Sequence, residues 1–146
     1  MSVVEMVRAE YRDRPGVTNV AVFRTKTSRV VLDNAWLDLK AGRFDAAQHG
    51  AAKYVALNAN DARGHYLLGE VLRQKGERGA TEQAMAHYRK AIAADRAYPD
   101  PHRGLGLLHF QLAQKPEARR ALETYLSLSP QAGDRAYIEE YIQQCK

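Results

Sequence analysis

The stretch from Tyr66 to Gly76 reads YLLGEVLRQKG and decides the fold. It is a helix-like apolar run with one small residue, Gly69, in its middle, where a neighbouring helix must approach closely. Gly76 falls where this helix should stop, because glycine is favoured just past a helix end. A turn and an alanine-rich run with Ala84 and Ala91 follow. The segment therefore predicts a closely packed helical hairpin.

The same order of features occurs three times along the chain, in residues 28–61, 62–98 and 99–132. Each stretch has a helix-like run, a turn and a second run. The small residues that mark the close approach of the paired helices are Ala35, Gly69 and Gly106 in the first runs and Ala47, Ala84 and Ala118 in the second runs. Self-similarity at this spacing is typical of repeat proteins. The chain is therefore predicted to stack three helical hairpins.

These stretches resemble the tetratricopeptide repeat (TPR) family over residues 28–132. The resemblance implies an all-α fold, a TPR-like helical-hairpin solenoid of three repeats. Two departures from the family pattern stand out. The second unit is three residues longer, and we expect the extra residues to lengthen the turn around residues 77–81 into a bulge. The first unit has Asn34 and Asp38 where the family usually has large apolar residues.

Both ends of the chain lie outside the repeats. Residues 1–27 are predicted to form an N-terminal extension, with a short helix followed by an extended run from Val17 to Phe23. Residues 133–146 are predicted to form a capping helix that covers the last repeat. Its apolar stripe consists of Tyr137, Ile138, Tyr141 and Ile142. Glu139, Glu140, Gln143 and Gln144 should face water.

Helix ends are marked by residues with known preferences. We expect four residues to cap helix N-termini, because their short side chains accept hydrogen bonds from free backbone amides. They are Asp61, Thr81, Asp100 and Asp134. In the third unit, Ala113 takes the place of the helix-ending glycine, and Pro116 begins the second helix, where a missing N–H costs nothing.

The composition is that of an ordinary soluble globular domain, with 45% hydrophobic and 27% charged residues in 146. Its single cysteine, Cys145, stands near a terminus that we expect to fray and can form no internal disulfide. No apolar stretch reaches the roughly 18 residues of a membrane span, so no membrane insertion is expected. As the chain stands, these features favour the cytoplasm. A periplasmic location is expected instead if the chain is a fragment of an exported protein.

No pattern of catalytic or metal-binding residues is present. The five histidines include no HExxH motif and no pair at a four-residue spacing. The sequence therefore predicts no enzyme activity, no metal and no cofactor. A net charge of +5 and a pI near 9.4 suit nucleic acid, but the basic residues are interspersed with acidic ones and no nucleic-acid-binding motif occurs. Nucleic acid is therefore the less favoured alternative to a protein partner.

The family resemblance implies that a partner binds on the concave face, which the first helix of each repeat lines. The residues expected to contact it are Trp36, Leu39, Tyr66, Glu70, Arg73, Arg103, Leu107 and Phe110. Other groove positions fall on Arg29, Leu32, Lys40, Arg63, Gln74, Asp100 and Gln111. The lysines and asparagines with which some family members grip a C-terminal carboxylate are absent. Leu32, Trp36, Leu67, Asp100 and Gly104 stand in their places.

Aromatic and arginine side chains in this set suit an apolar protein segment that carries acidic residues. Arg73 and Arg103 are expected to be exposed, so changing both to Glu should leave the fold intact. Internal packing is the alternative for three residues: Trp36 and Leu39 against residues 1–27, and Phe110 beneath the capping helix.

Two functions follow from this interpretation. The first is a non-catalytic adaptor or assembly module that binds a peptide or helix. The second, suggested by the unusual N-terminal segment, is the C-terminal repeat region of a larger bacterial enzyme such as an exported zinc peptidase, an inference by fold-level analogy.

Overall fold

The computed structural model describes residues 20–146, and for residues 20–27 it describes the backbone alone. Seven helices make up this part of the chain: α1 (Val20–Lys40), α2 (Phe44–Leu57), α3 (Ala62–Lys75), α4 (Ala80–Ala94), α5 (Asp100–Gln111), α6 (Lys115–Leu128) and α7 (Arg135–Gln144). No strand occurs among these residues, so the predicted all-α class is confirmed. None of these helices combines the length and apolar character that crossing a membrane requires.

The helices form three hairpins, α1–α2, α3–α4 and α5–α6, and α7 packs against α6. Helix α3 also contacts α1 and α5, the first helices of the neighbouring hairpins. Stacking of this kind places the first helices side by side along one face, as in helical-repeat solenoids. The predicted hairpin solenoid is therefore confirmed.

Glycines allow the close approach that the small-residue pattern predicts. A Cβ atom added at Gly69 of α3 would lie 2.6 Å from the Tyr88 ring of α4, and one at Gly106 would lie 2.6 Å from the Leu122 side chain. Both distances are too short for a real contact, so no larger residue fits without a shift of the helices. Burial of the ring and the leucine thus depends on glycine in the partner helix.

Four of the residues predicted to mark helix ends lie where the sequence places them. The Asp61 side chain accepts a hydrogen bond from the Arg63 backbone N–H at 3.0 Å and so caps α3. Gly76, with φ of 68°, ends α3 in the left-handed region. Ala113 has φ of 58°, which is uncommon for a residue with a side chain. Pro116 lies in the first turn of α6.

Two of the predicted N-cap residues are wrong by one or two positions. Helix α4 already begins at Ala80 and α5 begins at Asp100 itself, so Thr81 and Asp100 are helical residues and do not cap. The turn between α3 and α4 comprises residues 76–79, one residue more than the turns 41–43 and 112–114, so the predicted lengthening around residues 77–81 amounts to one residue. The helices of this unit have 14 and 15 residues, against 12 and 14 in the third hairpin.

Only part of the prediction for the N-terminal extension can be compared with the structure. The predicted short helix and residues 17–19 lie outside the described residues. From Val20 to Phe23 the structure differs from the predicted extended run, since these residues open α1. Short apolar runs do not distinguish a strand from a buried helix, and here the run continues directly into a helix.

Helix α7 covers the end of the third hairpin with part of its apolar stripe. Ile138 and Ile142 are buried against Leu122 and Leu126 of α6, whereas Tyr137 remains 49% exposed. The four polar residues at 139, 140, 143 and 144 are exposed, as predicted. The expected fraying is not seen, because Cys145 is buried and its backbone N–H bonds the last turn of α7.

Removing the cover should weaken the fold. Deleting residues 134–146 is expected to lower the melting temperature, and Ile138→Ala alone should cost about 2–5 kcal/mol because it leaves a cavity in this cluster. Thermal unfolding followed by circular dichroism measures both changes, with Glu140→Ala on the exposed side of α7 as the control. Equal melting temperatures for Ile138→Ala and this control would refute the role of α7 as a cover.

A pair of histidine rings lies between α3 and α4. The rings of His65 and His87 stack with centroids 6.0 Å apart, and neither Nδ1 atom has a hydrogen-bond partner. Nε2 of His65 donates to the Ala59 carbonyl at 2.8 Å. Burial lowers the pKa of His87 below 6.5, and electrostatic repulsion from Lys90 and His65 lowers it further. The folded chain therefore favours the neutral form of His87.

This shift predicts loss of stability in acid. Between the two pKa values the unfolded chain binds more protons at His87, so the free energy of unfolding should fall as the pH drops below about 6.5. Urea unfolding at about pH 8 and about pH 5.5 measures the decrease. His87→Gln cannot titrate, and this variant should lose less stability between the two pH values than the wild type does. An unchanged pH dependence in the variant would contradict the assignment.

Candidate functional site

A row of aromatic rings crosses the face formed by the first helices. Tyr66 of α3 lies at its centre, with ring centroids 5.7 Å from Trp36 of α1 and 5.5 Å from Tyr98, which precedes α5. Behind it, the Tyr88 ring of α4 lies at 6.0 Å. Tyr66 is nearly buried, whereas Trp36 and Tyr98 remain partly exposed. The row therefore brings together aromatic side chains from α1, from α3 and from the segment before α5.

A buried carboxylate with several donors lies one helical turn beyond Tyr66. Glu70, only 5% exposed, accepts hydrogen bonds from the Tyr88 hydroxyl at 2.5 Å, from Arg73 Nη2 at 2.8 Å and from Gln74 Nε2 at 3.4 Å. Arg73 Nε also lies 3.3 Å from the Tyr88 hydroxyl. Burial raises the pKa of Tyr88, as does Glu70, so this hydroxyl stays a donor. The Arg73 guanidinium is thus already engaged within the chain.

The second expected arginine is paired as well. Arg103 Nε of α5 lies 2.6 Å from Asp134 Oδ2, and the Tyr125 hydroxyl of α6 donates to Asp134 Oδ1 at 2.7 Å. Burial raises the pKa of Asp134, but the hydrogen bonds from Tyr125 and Arg103 outweigh burial and lower it overall. Asp134 precedes α7 as predicted, yet its side chain does not cap that helix. Its carboxylate is used to join α5 and α6 to the start of α7.

A related cluster lies between the first and second hairpins. The Tyr54 hydroxyl donates to Asp61 Oδ2 at 2.5 Å, and Arg63 Nη2 approaches the same oxygen at 2.7 Å. The hydrogen bond from Arg63 is the largest influence on Asp61 and helps to lower its pKa to about 2. Burial, together with Asp61, raises the pKa of Tyr54 to about 12. In both clusters an aspartate before a helix binds a tyrosine from the preceding helix and an arginine.

A second apolar region lies where α5 meets α7. The Phe110 ring packs edge-on against Tyr141 with centroids 4.7 Å apart, and Tyr141 packs against Tyr137 at 4.9 Å. Leu107, like Tyr141, packs against the buried cluster that includes Leu122 and Ile138. Phe110 and Leu107 stay partly exposed. Phe110 therefore has the internal contact expected under the capping helix and still reaches the surface.

The structure divides the eight expected contact residues into two groups. Leu39 and Glu70 are buried, Leu39 being packed with Leu67 and Val71 of α3. Tyr66 is 9% exposed, at the limit of burial. The remaining five keep partly exposed surface on the first helices: Trp36, Arg73, Arg103, Leu107 and Phe110. The residues predicted from the sequence therefore include side chains on the surface of this face and side chains buried beneath it.

Three residues that shape the site were not expected from the sequence: Tyr88, Tyr98 and Asp134. Tyr88 had a usable signal, since two first helices carry glycines at Gly69 and Gly104, and added Cβ atoms there would lie 2.6 and 2.5 Å from its ring. Two glycines facing one site imply a large side chain between them. No comparable signal marks Tyr98 or Asp134. In the part of the chain that the structure describes, no group of three or more potential metal ligands occurs.

Comparison with solved structures identifies the same fold. The TPR domain of Arabidopsis OM64 gives a TM-score of 0.74 at 17% identity, covering 83% of this chain and 98% of that chain. The first TPR of Spaghetti (RPAP3) bound to the HSP90 peptide SRMEEVD gives 0.72 at 18% identity, covering 82% and 92%. The Yersinia enterocolitica type III secretion chaperone SycD in complex with a peptide of the translocator YopD gives 0.74 at 15% identity, covering 82% and 92%.

Sequence comparison gives a shorter match. A family model described as TPR repeat matches residues 77–112, which include α4 and α5. No curated protein sequence matches the chain. The chain therefore has the tetratricopeptide-repeat fold, and its residues 77–112 match the sequence family as well.

Proposed function

We propose that this chain is a non-catalytic module that holds a segment of another protein on the face formed by α1, α3 and α5. One observation carries the proposal: the partly exposed aromatic row around Tyr66, continued by Leu107 and Phe110 along the same set of first helices. Aromatic side chains with satisfied polar neighbours are typical of the central residues of protein interfaces. A groove of first helices is also the surface on which helical-repeat proteins bind.

The similar structures support binding of a peptide segment. Spaghetti is described with the HSP90 peptide SRMEEVD, and SycD with a peptide of the translocator YopD. These partners are properties of those proteins. For this chain they favour an extended or helical segment as the occupant over a large flat protein surface.

The finer proposal is an apolar segment that carries acidic residues, as the arginines of this face suggested. Its acidic groups would have to share Arg73 with Glu70 and Arg103 with Asp134, because both guanidiniums are already paired. Arg63 is more available, with 62% of its side chain exposed although it is paired with Asp61. Acidic residues are therefore expected near the edges of the groove rather than at its centre.

The proposal is tested by selecting binders from a phage-displayed library of random peptides against the full chain. The strongest peptides are then added to isotope-labelled protein, and amide chemical shifts are recorded. Shifts are expected on α1, α3 and α5, with little change on α2, α4 and α6. Failure to select any binder, or shifts confined to the second helices, would overturn the proposal.

A matched pair of variants gives an independent measurement. Trp36→Ala should lower the affinity for the selected peptides by about tenfold, since a buried aromatic contact at an interface centre contributes about 1.4 kcal/mol or more to binding. Leu128→Ala removes a similarly exposed apolar side chain from the end of α6 and should have no effect on binding. Circular dichroism spectra of both variants establish that the helices are retained.

A further inference from the structure

The ion pairs of the first-helix face leave one carboxylate without a basic partner. Glu70 is paired with Arg73, and Asp134 with Arg103. Asp100, in the first turn of α5, forms no ion pair with any described residue, although it is half-buried. With the Arg63–Asp61 pair at the start of α3 included, these charges comprise four carboxylates and three guanidiniums. The middle of the face carries an excess of negative charge.

The electrostatics of Asp100 agree with this geometry. Burial raises the pKa of its carboxyl, and the negative charges of Glu70 and Asp134 add to the rise. The Tyr98 hydroxyl and Arg103 act in the opposite direction and do not cancel it. The carboxylate is therefore partly desolvated without a full counter-charge, the condition in which an added cation is most favourable.

Aromatic rings stand beside this carboxylate. Tyr98 is two residues before Asp100 and packs edge-on against Tyr66, which in turn contacts Trp36. Burial raises the pKa of Tyr66, and the negative charges of Glu70 and Asp100 raise it further. Aromatic faces attract ammonium and guanidinium groups, most strongly where a carboxylate is also near.

We infer that Asp100, with Tyr66 and Tyr98, forms the site for a lysine or arginine side chain of the bound segment. The inference rests on the proposed function and specifies the occupant: an apolar segment with a basic residue over the start of α5. Any acidic residues of that segment would lie on either side of this central basic residue. Charge complementarity selects this occupant, since Asp100 has no ion-pair partner among the described residues, whereas Arg63, Arg73 and Arg103 are each already paired with a carboxylate.

A simpler role for Asp100 makes a different prediction. A carboxylate in the first turn of a helix interacts favourably with the helix dipole, which would stabilise α5 with no partner present. In that case Asp100→Asn would lower the melting temperature and leave peptide selection unchanged. The two roles are therefore distinguished by binding measurements.

The test uses the full chain and the same peptide library, selected in parallel on wild type, Asp100→Asn and the control Asp33→Asn. Asp33 is an exposed carboxylate on α1. Wild type and the control should enrich peptides with Lys or Arg at one fixed position, and Asp100→Asn should not. The strongest peptide is then synthesised with that residue and with Gln in its place, and fluorescence anisotropy gives both affinities.

For wild type, the Gln peptide should bind about tenfold more weakly than its basic parent, and for Asp100→Asn the two peptides should bind alike. Wild-type selection of peptides with no basic residue, or an equal loss in both proteins, would overturn the inference. In those cases binding on the first-helix face stands, provided that the chemical shifts lie on α1, α3 and α5. Absence of any binder would instead count against the proposed function itself.

Discussion

Replacing Tyr88 with alanine is expected to destabilise the chain by about 3–5 kcal/mol, one of the two largest effects among the substitutions considered. The ring is fully buried and fills the space that Gly69 and Gly104 leave open. Its hydroxyl also donates to the buried Glu70 carboxylate. The variant thus loses a buried ring and a hydrogen bond to a charge. Urea unfolding, followed by circular dichroism, measures the change.

Two further variants separate the ring from the hydroxyl. Tyr88→Phe keeps the ring and should cost about 1–3 kcal/mol, because Glu70 then loses one donor in a buried site. Tyr137→Ala removes a tyrosine that is 49% exposed and should cost less than about 1 kcal/mol. A Tyr88→Ala variant as stable as Tyr137→Ala would show that the helices of this region pack without the ring.

Reversing the charge of Arg73 should have an effect of similar size. Arg73→Glu leaves the buried Glu70 without its cation and adds a second carboxylate beside it, which should cost about 3–5 kcal/mol. This expected result differs from the sequence-based expectation that the change leaves the fold intact. That expectation assumed a solvated arginine, whereas only 22% of the Arg73 side chain is exposed.

The control for this reversal is the exposed pair formed by Arg119 and Glu123 on α6. Arg119→Glu should cost no more than about 1 kcal/mol, because water screens the charges. Adding Glu70→Gln to Arg73→Glu should recover part of the lost stability, since one of the two facing carboxylates is removed. If Arg73→Glu and Arg119→Glu have equal unfolding free energies, the buried pair does not stabilise the fold.

The fold could be predicted from the sequence because its determinants are local and repeated. Gly69 and Gly106 mark close helix approaches, and Gly76 and Ala113 end helices, each through a property of the residue and its neighbours. Helix starts were less certain. Asp61 caps as expected, but the Asp134 carboxylate has long-range partners that compete with the backbone amides.

The candidate site was harder to predict because its charges are paired across distant parts of the chain. Arg103 and Asp134 are separated by 31 positions, and Tyr88 and Glu70 by 18. Helical spacing can place Arg103 on the first-helix face, but it cannot show that the Arg103 guanidinium is already paired with the Asp134 carboxylate. The positions of the candidate residues were therefore more predictable than their availability to a partner.

The two glycines on either side of Tyr88 belong to different hairpins, and this has a consequence for how the chain unfolds. Gly69 is in α3 of the same hairpin as Tyr88, whereas Gly104 is in α5 of the next. Opening of the α5–α6 hairpin would expose one side of the Tyr88 ring, which is otherwise buried from water. In a one-dimensional description of a repeat array, this contact is a strong coupling between nearest neighbours. Native-state hydrogen exchange should then show amides of α3, α4 and α5 opening as one cooperative unit.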